Sequence, residues 1–203
     1  MQGTMKTAVM TGLKELEWEQ RPIPVPSKGE VLVRVEHVGI CGSDLHYYEQ
    51  GAIGDFKVSF PFVLGHEAAG TVVEIGEGVT DLAVVETGAG VTDLKVGDRV
   101  ALEPGKTCGQ CIYCKTGRYN LCPDVEFFAT PPIDGVFCEY VAHPASLCFR
   151  LPENMDTINE IFRAAHSLKG MAGTMGFKRM QRLTHDMENV FQEVRSDKVK
   201  VNS

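Results

Sequence analysis

Every proline and every cysteine of the chain lies before residue 156: ten Pro and seven Cys occur in residues 1–155 and none in the remaining 48. Proline is excluded from helix interiors and from central strands, so its distribution separates two kinds of fold. The front part also holds 18 of the 21 glycines and alternates short Val-rich runs with Gly and Pro, as in Glu30-Val31-Leu32-Val33-Arg34-Val35 and Gly70-Thr71-Val72-Val73-Glu74-Ile75. That rhythm predicts short strands joined by turns. The tail predicts helix. The expected fold is mainly β with α: a β domain over 1–155 and a helical hairpin over 156–203.

In the tail, Ile158, Ile161, Phe162, Ala165 and Leu168 recur at three- and four-residue steps behind Asp156 and Thr157, either of which can cap a helix. Met180, Leu183, Met187, Val190 and Val194 mark a second stripe after the link Gly173-Thr174-Met175-Gly176. Two helices cannot bury both stripes by themselves. The tail is expected to dock, to self-associate or to stay loose, a dimer making a four-helix bundle being the economical homo-oligomer.

Charge narrows the function. Twenty basic against 27 acidic residues leave a net charge of −7, which argues against wrapping nucleic acid or lying on an anionic membrane, since both need a basic surface. The apolar runs fall short of the roughly 20 residues of a membrane span, and Met1-Gln2-Gly3-Thr4-Met5-Lys6 lacks the layout of a signal peptide. A cytoplasmic location is the expectation. Val72 to Ala83 is followed at once by Val84 to Lys95, matching at nine of twelve positions. Two copies do not make a solenoid; a duplicated strand and turn that lengthens a loop or adds a hairpin is expected.

Two constellations carry chemistry. Cys108, Cys111, Cys114 and Cys122 place four thiols within fifteen residues of a Gly-containing loop, with Lys106, Lys115 and Arg118 near to offset thiolate charge. A closed tetrahedral zinc site fits that spacing; two disulfides or a redox loop are the alternatives. Cys41, His66 and Glu67 offer a thiolate, an imidazole and a carboxylate, which leave a fourth position free on a catalytic zinc. By spacing alone a His-Glu pair is more often an ordinary surface or turn feature, and Cys41 also reads as a buried apolar cysteine.

Longer stretches join these pieces: Val38 through Tyr48, Leu64 through Gly70, Val96 through Ala101, and Cys108 through Cys122. On them, residues 5 to about 157 resemble the chaperonin-10 (GroES)-like β-barrel catalytic domain of the zinc-containing medium-chain dehydrogenases, nearest the sorbitol (L-iditol) and xylitol branch. The resemblance implies oxidation of a secondary alcohol of a small polyol, with Cys41, His66 and Glu67 holding the catalytic zinc and the four-cysteine loop a structural one. It implies that Ser43 and His46 pass the hydroxyl proton to solvent, that Asp44 orients a ligand, and that Tyr47, Tyr48 and Phe127 flank the polyol chain. Cys138, Cys148, His37 and His143 have no motif role and are expected in the core. The family uses NAD, but its Gly-rich βα turn does not follow Met155 here, so no NAD-binding residue is assigned and these residues are expected to be inactive alone.

Beyond Met155 the sequence resembles another family instead. Ile161 through Phe177, with Leu183 through Asn189, is similar to the histidine phosphotransfer (HPt) domain of bacterial chemotaxis kinases. That resemblance implies phosphorylation on His166, supported by Lys169, His185 and Glu188, with a chemotaxis kinase or response regulator as partner. The chain reads as two partial domains of unrelated families joined near Met155–Thr157.

Overall fold

β-branched runs become strands where expected. A computed structural model describes residues 2–79 and 94–151. The tail, with His166, Lys169, His185 and Glu188, lies outside them, as does most of the second repeat copy. In chain order the elements are β1 (Thr4–Gly12), β2 (Glu15–Pro22), β3 (Glu30–Gly39), α1 (Gly42–Gln50), β4 (Ala52–Ile53), β5 (Phe56–Lys57), β6 (Glu67–Ile75), β7 (Arg99–Leu102), β8 (Gly105–Lys106), α2 (Ile112–Lys115), β9 (Glu126–Phe127), β10 (Tyr140–Pro144) and β11 (Cys148–Arg150). Five of them form an antiparallel sheet in the order β10-β3-β6-β7-β11, while β1–β2, β4–β5 and β8–β9 are separate antiparallel pairs. The architecture is the mainly β one, with short helices, that the sequence implies. Its main sheet ends in β10 and β11, which do not pair with each other. Backbone bonds from Ala8 to Phe137 (2.8 Å) and from Glu139 to Lys6 (3.2 Å) join β1 to the segment before β10.

The core follows from the Val-rich pattern. Val31, Val33, Val72, Val100 and Leu102 pack in one cluster, and burying such side chains contributes roughly 1.5–3 kcal/mol each. Leu32 is fully buried as well, so the centre of β3 is covered on both faces. Val79, in the first repeat copy, and Leu94, in the second, both belong to this cluster. Met10, Tyr47, Phe62 and Leu64 form a second cluster around α1.

The expectation of a core role holds for Cys148 and His143 and fails for His37. The β3–β6 register shifts between Val35 and His37, and this irregularity leaves His37 exposed near the end of the strand. Cys138 is half-buried and donates to the Tyr140 carbonyl.

His143 is 2% exposed, its Nε2 lies 2.9 Å from the Glu103 carbonyl, and its ring packs on Phe128 at 4.9 Å. Burial pushes its pKa down from 6.5 to about 4. Between those values the unfolded chain binds a proton that the folded one refuses, so stability falls as the pH is lowered through this window. The loss amounts to about 3 kcal/mol by the lower end. Urea unfolding of the wild type and of His143→Phe tests this. From about pH 6.5 to about pH 5 the wild type should lose about 2 kcal/mol more than the variant. Equal slopes would refute it.

Candidate metal centre

The antiparallel pairing of β3 with β6 builds the first cluster. Gly39 lies opposite Glu67 and Val38 opposite Ala68. Cys41, two residues beyond the end of β3, therefore meets His66 and Glu67 at the start of β6. Its Sγ, an imidazole nitrogen of His66 and a carboxylate oxygen of Glu67 all lie within 4.8 Å of one another.

Asp44 locks the arrangement. It stands in the first turn of α1, where the helix dipole favours a carboxylate, and is 2% exposed. Its Oδ2 accepts from the Cys41 amide at 2.9 Å, forming the return arm of a capping box. Its Oδ1 accepts from the Gly65 amide at 2.9 Å and lies 3.6 Å from His66 Nδ1. One buried carboxylate thus ties both halves of the cluster. His66 turns Nδ1 toward Asp44 and Nε2 toward Glu67, whose Oε1 is 3.9 Å away. Gly65 has φ +90°, and a Cβ there would run into the Phe137 ring, so this turn into His66 requires glycine.

The implied neighbours of the cluster take different places. Phe127, on β9, has its ring centroid 5.7 Å from that of His66. Ser43 is half-buried and His46 exposed, three residues apart on α1. Tyr47 points into the second core cluster, edge-on to Phe62 at 6.3 Å, and burial raises its phenol pKa. Tyr48 donates its hydroxyl to the Lys14 carbonyl at 2.7 Å.

The four-cysteine loop forms the second cluster. Cys111 caps the one-turn helix α2, Cys114 sits within it, and all four Sγ atoms lie within 4.8 Å of one another. The Cys111–Cys114 and Cys108–Cys114 Sγ separations are 3.5 and 3.9 Å. They bracket the edge of about 3.8 Å in a zinc tetrathiolate with Zn–S near 2.3 Å, and are far too long for disulfides, whose S–S bond is about 2.05 Å. Backbone amides of Cys108, Cys111 and Cys114 point at Cys122, Cys108 and Cys111 sulfurs at 3.4, 3.4 and 3.5 Å. Amide donors stabilise thiolate: those of Gln110 and Cys111 bring Cys108 down to about 7. Half-buried Cys138 and buried Cys148 go the other way, to about 11 and about 12, as desolvation favours the thiol. Lys106, expected to offset thiolate charge, faces Glu126 at 3.7 Å.

Both donor sets fit zinc: four sulfurs for a closed site, and one S, one N and one O for an open one. What the sequence did not reveal is the reach of Asp44 to Gly65, which depends on the strand pairing. Among the described residues no helix is long and apolar enough to cross a membrane.

Comparison with known proteins accounts for this geometry. The alcohol dehydrogenase GroES-like domain matches residues 27–153, and the Hpt domain matches residues 141–202. The two overlap at 141–153, a span that contains most of β10 and all of β11. The chain is 49% identical over 151 residues to a sorbitol dehydrogenase of Bacillus subtilis, covering 74% of this chain and 39% of that protein. It is 48% identical over 167 residues to a sorbitol dehydrogenase of Gallus gallus, covering 80% and 44%. Among solved structures it resembles a cobalt- and zinc-bound thermostable alcohol dehydrogenase from Pyrobaculum aerophilum, with a TM-score of 0.60 at 28% identity over 75% of this chain and 43% of that one. The chain spans about two fifths of the length of the curated relatives it matches.

Proposed function

Because the chain belongs to the alcohol dehydrogenase GroES-like family and is similar to sorbitol dehydrogenases, we propose that residues 1–155 form the zinc-bearing catalytic part of a sorbitol- or L-iditol-type dehydrogenase. The observation that carries this reading is the convergence of Cys41, His66 and Glu67 around the Asp44 tie. A zinc ion held by those three side chains supplies Lewis-acid polarisation of an alcohol oxygen. Asp44 keeps the Nδ1 side of His66 occupied, so Nε2 is the nitrogen offered to the metal. Ser43 takes the hydroxyl proton and His46, exposed on the next turn of α1, delivers it to water. Phe127 walls the site beside His66 and excludes water from one side of the polyol.

Hydride transfer needs a nicotinamide acceptor held near the carbinol carbon. Residues 156–203 carry no Gly-rich βα turn to hold one. The 203 residues by themselves are therefore expected to bind a polyol without turning it over, because positioning accounts for many powers of ten in rate. The proposed setting is the cytoplasm, where thiolates remain reduced.

Cobalt substitution tests the reading. Two metal ions per chain are expected, with chelator stripping the open site before the four-thiolate one. Sorbitol should shift the visible spectrum of cobalt in the open site, and Cys41→Ser should abolish the shift. Less than one metal per chain, or a spectrum indifferent to polyols, would refute it; sorbitol-dependent NADH formation that disappears in Cys41→Ser would refute the inactivity.

The Hpt match supports a second reading for the tail, phosphoryl transfer through His166 with Lys169, His185 and Glu188 in support. Its partners would be a chemotaxis kinase or a response regulator. Incubation with a chemotaxis kinase core and labelled ATP decides it: label on the wild type and not on His166→Gln is the expected result.

A further inference from the structure

We propose that Gly39 is a positioning residue for Glu67: its missing side chain makes the room in which the carboxylate reaches the Cys41–His66 cluster. The proposal rests on the reading of Glu67 as a metal ligand. Gly39 is not among the residues of positive φ, so its backbone conformation is one that any residue adopts. Glycine is needed there for space.

Gly39 and Glu67 are direct partners across β3 and β6. Cβ atoms of such partners ordinarily stand about 4.5–5.5 Å apart. A Cβ built on Gly39 would lie 3.1 Å from Glu67 Cβ and 3.4 Å from its Cδ, and would overlap Oε2 outright. The clash falls mainly on the far end of a flexible side chain that is 54% exposed. Contrast Gly70 and Gly135, where an added Cβ meets the backbone carbonyls of Arg34 and of Gly65. Swinging the carboxylate into solvent therefore relieves the overlap with Oε2 and Cδ, and the remaining Cβ–Cβ contact asks a shift of a few tenths of an ångström between the two strand ends, while Cys41, His66 and the Asp44 tie keep their places.

The consequence is selective. Gly39→Ala should leave the fold and the metal in the four-cysteine loop unchanged, and should weaken metal binding at the open site about 10- to 100-fold, the range seen when a ligand's supporting group is removed. Cobalt binding followed by its thiolate absorption, in competition with a chelator, reads both sites without any assay of turnover. A double-mutant cycle isolates the route. If Gly39 acts through Glu67, then Gly39→Ala weakens cobalt binding in the wild-type background and changes nothing further once Glu67→Ala is present.

Each other outcome overturns the proposal. An equal loss in the Glu67→Ala background would mean that the methyl group shifts Cys41 or His66 instead. An unfolded Gly39→Ala would mean that the backbone absorbs the clash. Wild-type cobalt affinity in Gly39→Ala, with Glu67→Ala weakened, would remove Gly39 alone; wild-type affinity in Glu67→Ala would remove the ligand reading of Glu67 as well.

Discussion

Cys111→Ser is expected to bring the metal content from two ions per chain to one and to unfold the loop between β8 and β9. The loop has almost no core to fall back on: Ile112 is 67% and Leu121 53% exposed, Tyr113 and Tyr119 are exposed too, and Cys122 is the one buried residue among them. Its remaining order consists of amide–sulfur contacts and two short helical turns, Ile112–Lys115 and Tyr119–Leu121, with their local hydrogen bonds. A structural zinc contributes apparent free energies of about 10–16 kcal/mol in small metal-folded units, so losing a quarter of its thiolates removes the main support. Elemental analysis with hydrogen exchange over residues 105–127 reads both effects. Two metals and unchanged protection in Cys111→Ser would count against the closed site.

Asp44→Ala should be the most damaging single change near the open site. It strands the Cys41 and Gly65 amides, each with its partner removed. An unsatisfied buried donor costs about 1–3 kcal/mol, so the pair costs about 2–6 kcal/mol. Metal affinity at the open site should drop about 10- to 100-fold in parallel, since Cys41 and His66 lose their common anchor. Asp44→Asn keeps one acceptor oxygen and should fall between wild type and Asp44→Ala. Urea unfolding and cobalt titration check the order; a wild-type midpoint in Asp44→Ala would refute the tie.

The four-cysteine set was legible in the sequence because four thiols within fifteen residues are rare and their spacing survives folding, whereas Cys41 and His66–Glu67, 25 residues apart, were joined only through the family resemblance. Facing is harder to read. Tyr47 and Tyr48 are equivalent as letters, yet on α1 they point about 100° apart, and only the packing of Phe62 decides that Tyr47 turns inward. His37 and His143 differ in the same way: an irregularity in β3 exposes one, and pairing opposite Val31 buries the other. Gly39 was visible as a glycine, but nothing in its neighbours announced Glu67, 28 residues later, as the group it accommodates. Contacts across a sheet are set by register, which a sequence without its partners does not display.

β6 carries Glu67 at one end, and its last residues open the first copy of the tandem repeat. Nine extended residues separate those ends by roughly 26 Å. Val79 and Leu94, one in each copy of the repeat, are both sealed in the core. Extra sequence between these two anchors enters an interval whose ends are fixed, and the entropic cost of closing such an interval grows only slowly with its length. The chain thus has a place where it tolerates growth without disturbing its chemistry: a duplication or graft there leaves the interval from Cys41 to Glu67 untouched, whereas the same insertion before Gly65 would separate the ligands. For an engineer the distinction marks a permissive splice point, and for a lineage it marks where novelty can accumulate without a penalty at the metal.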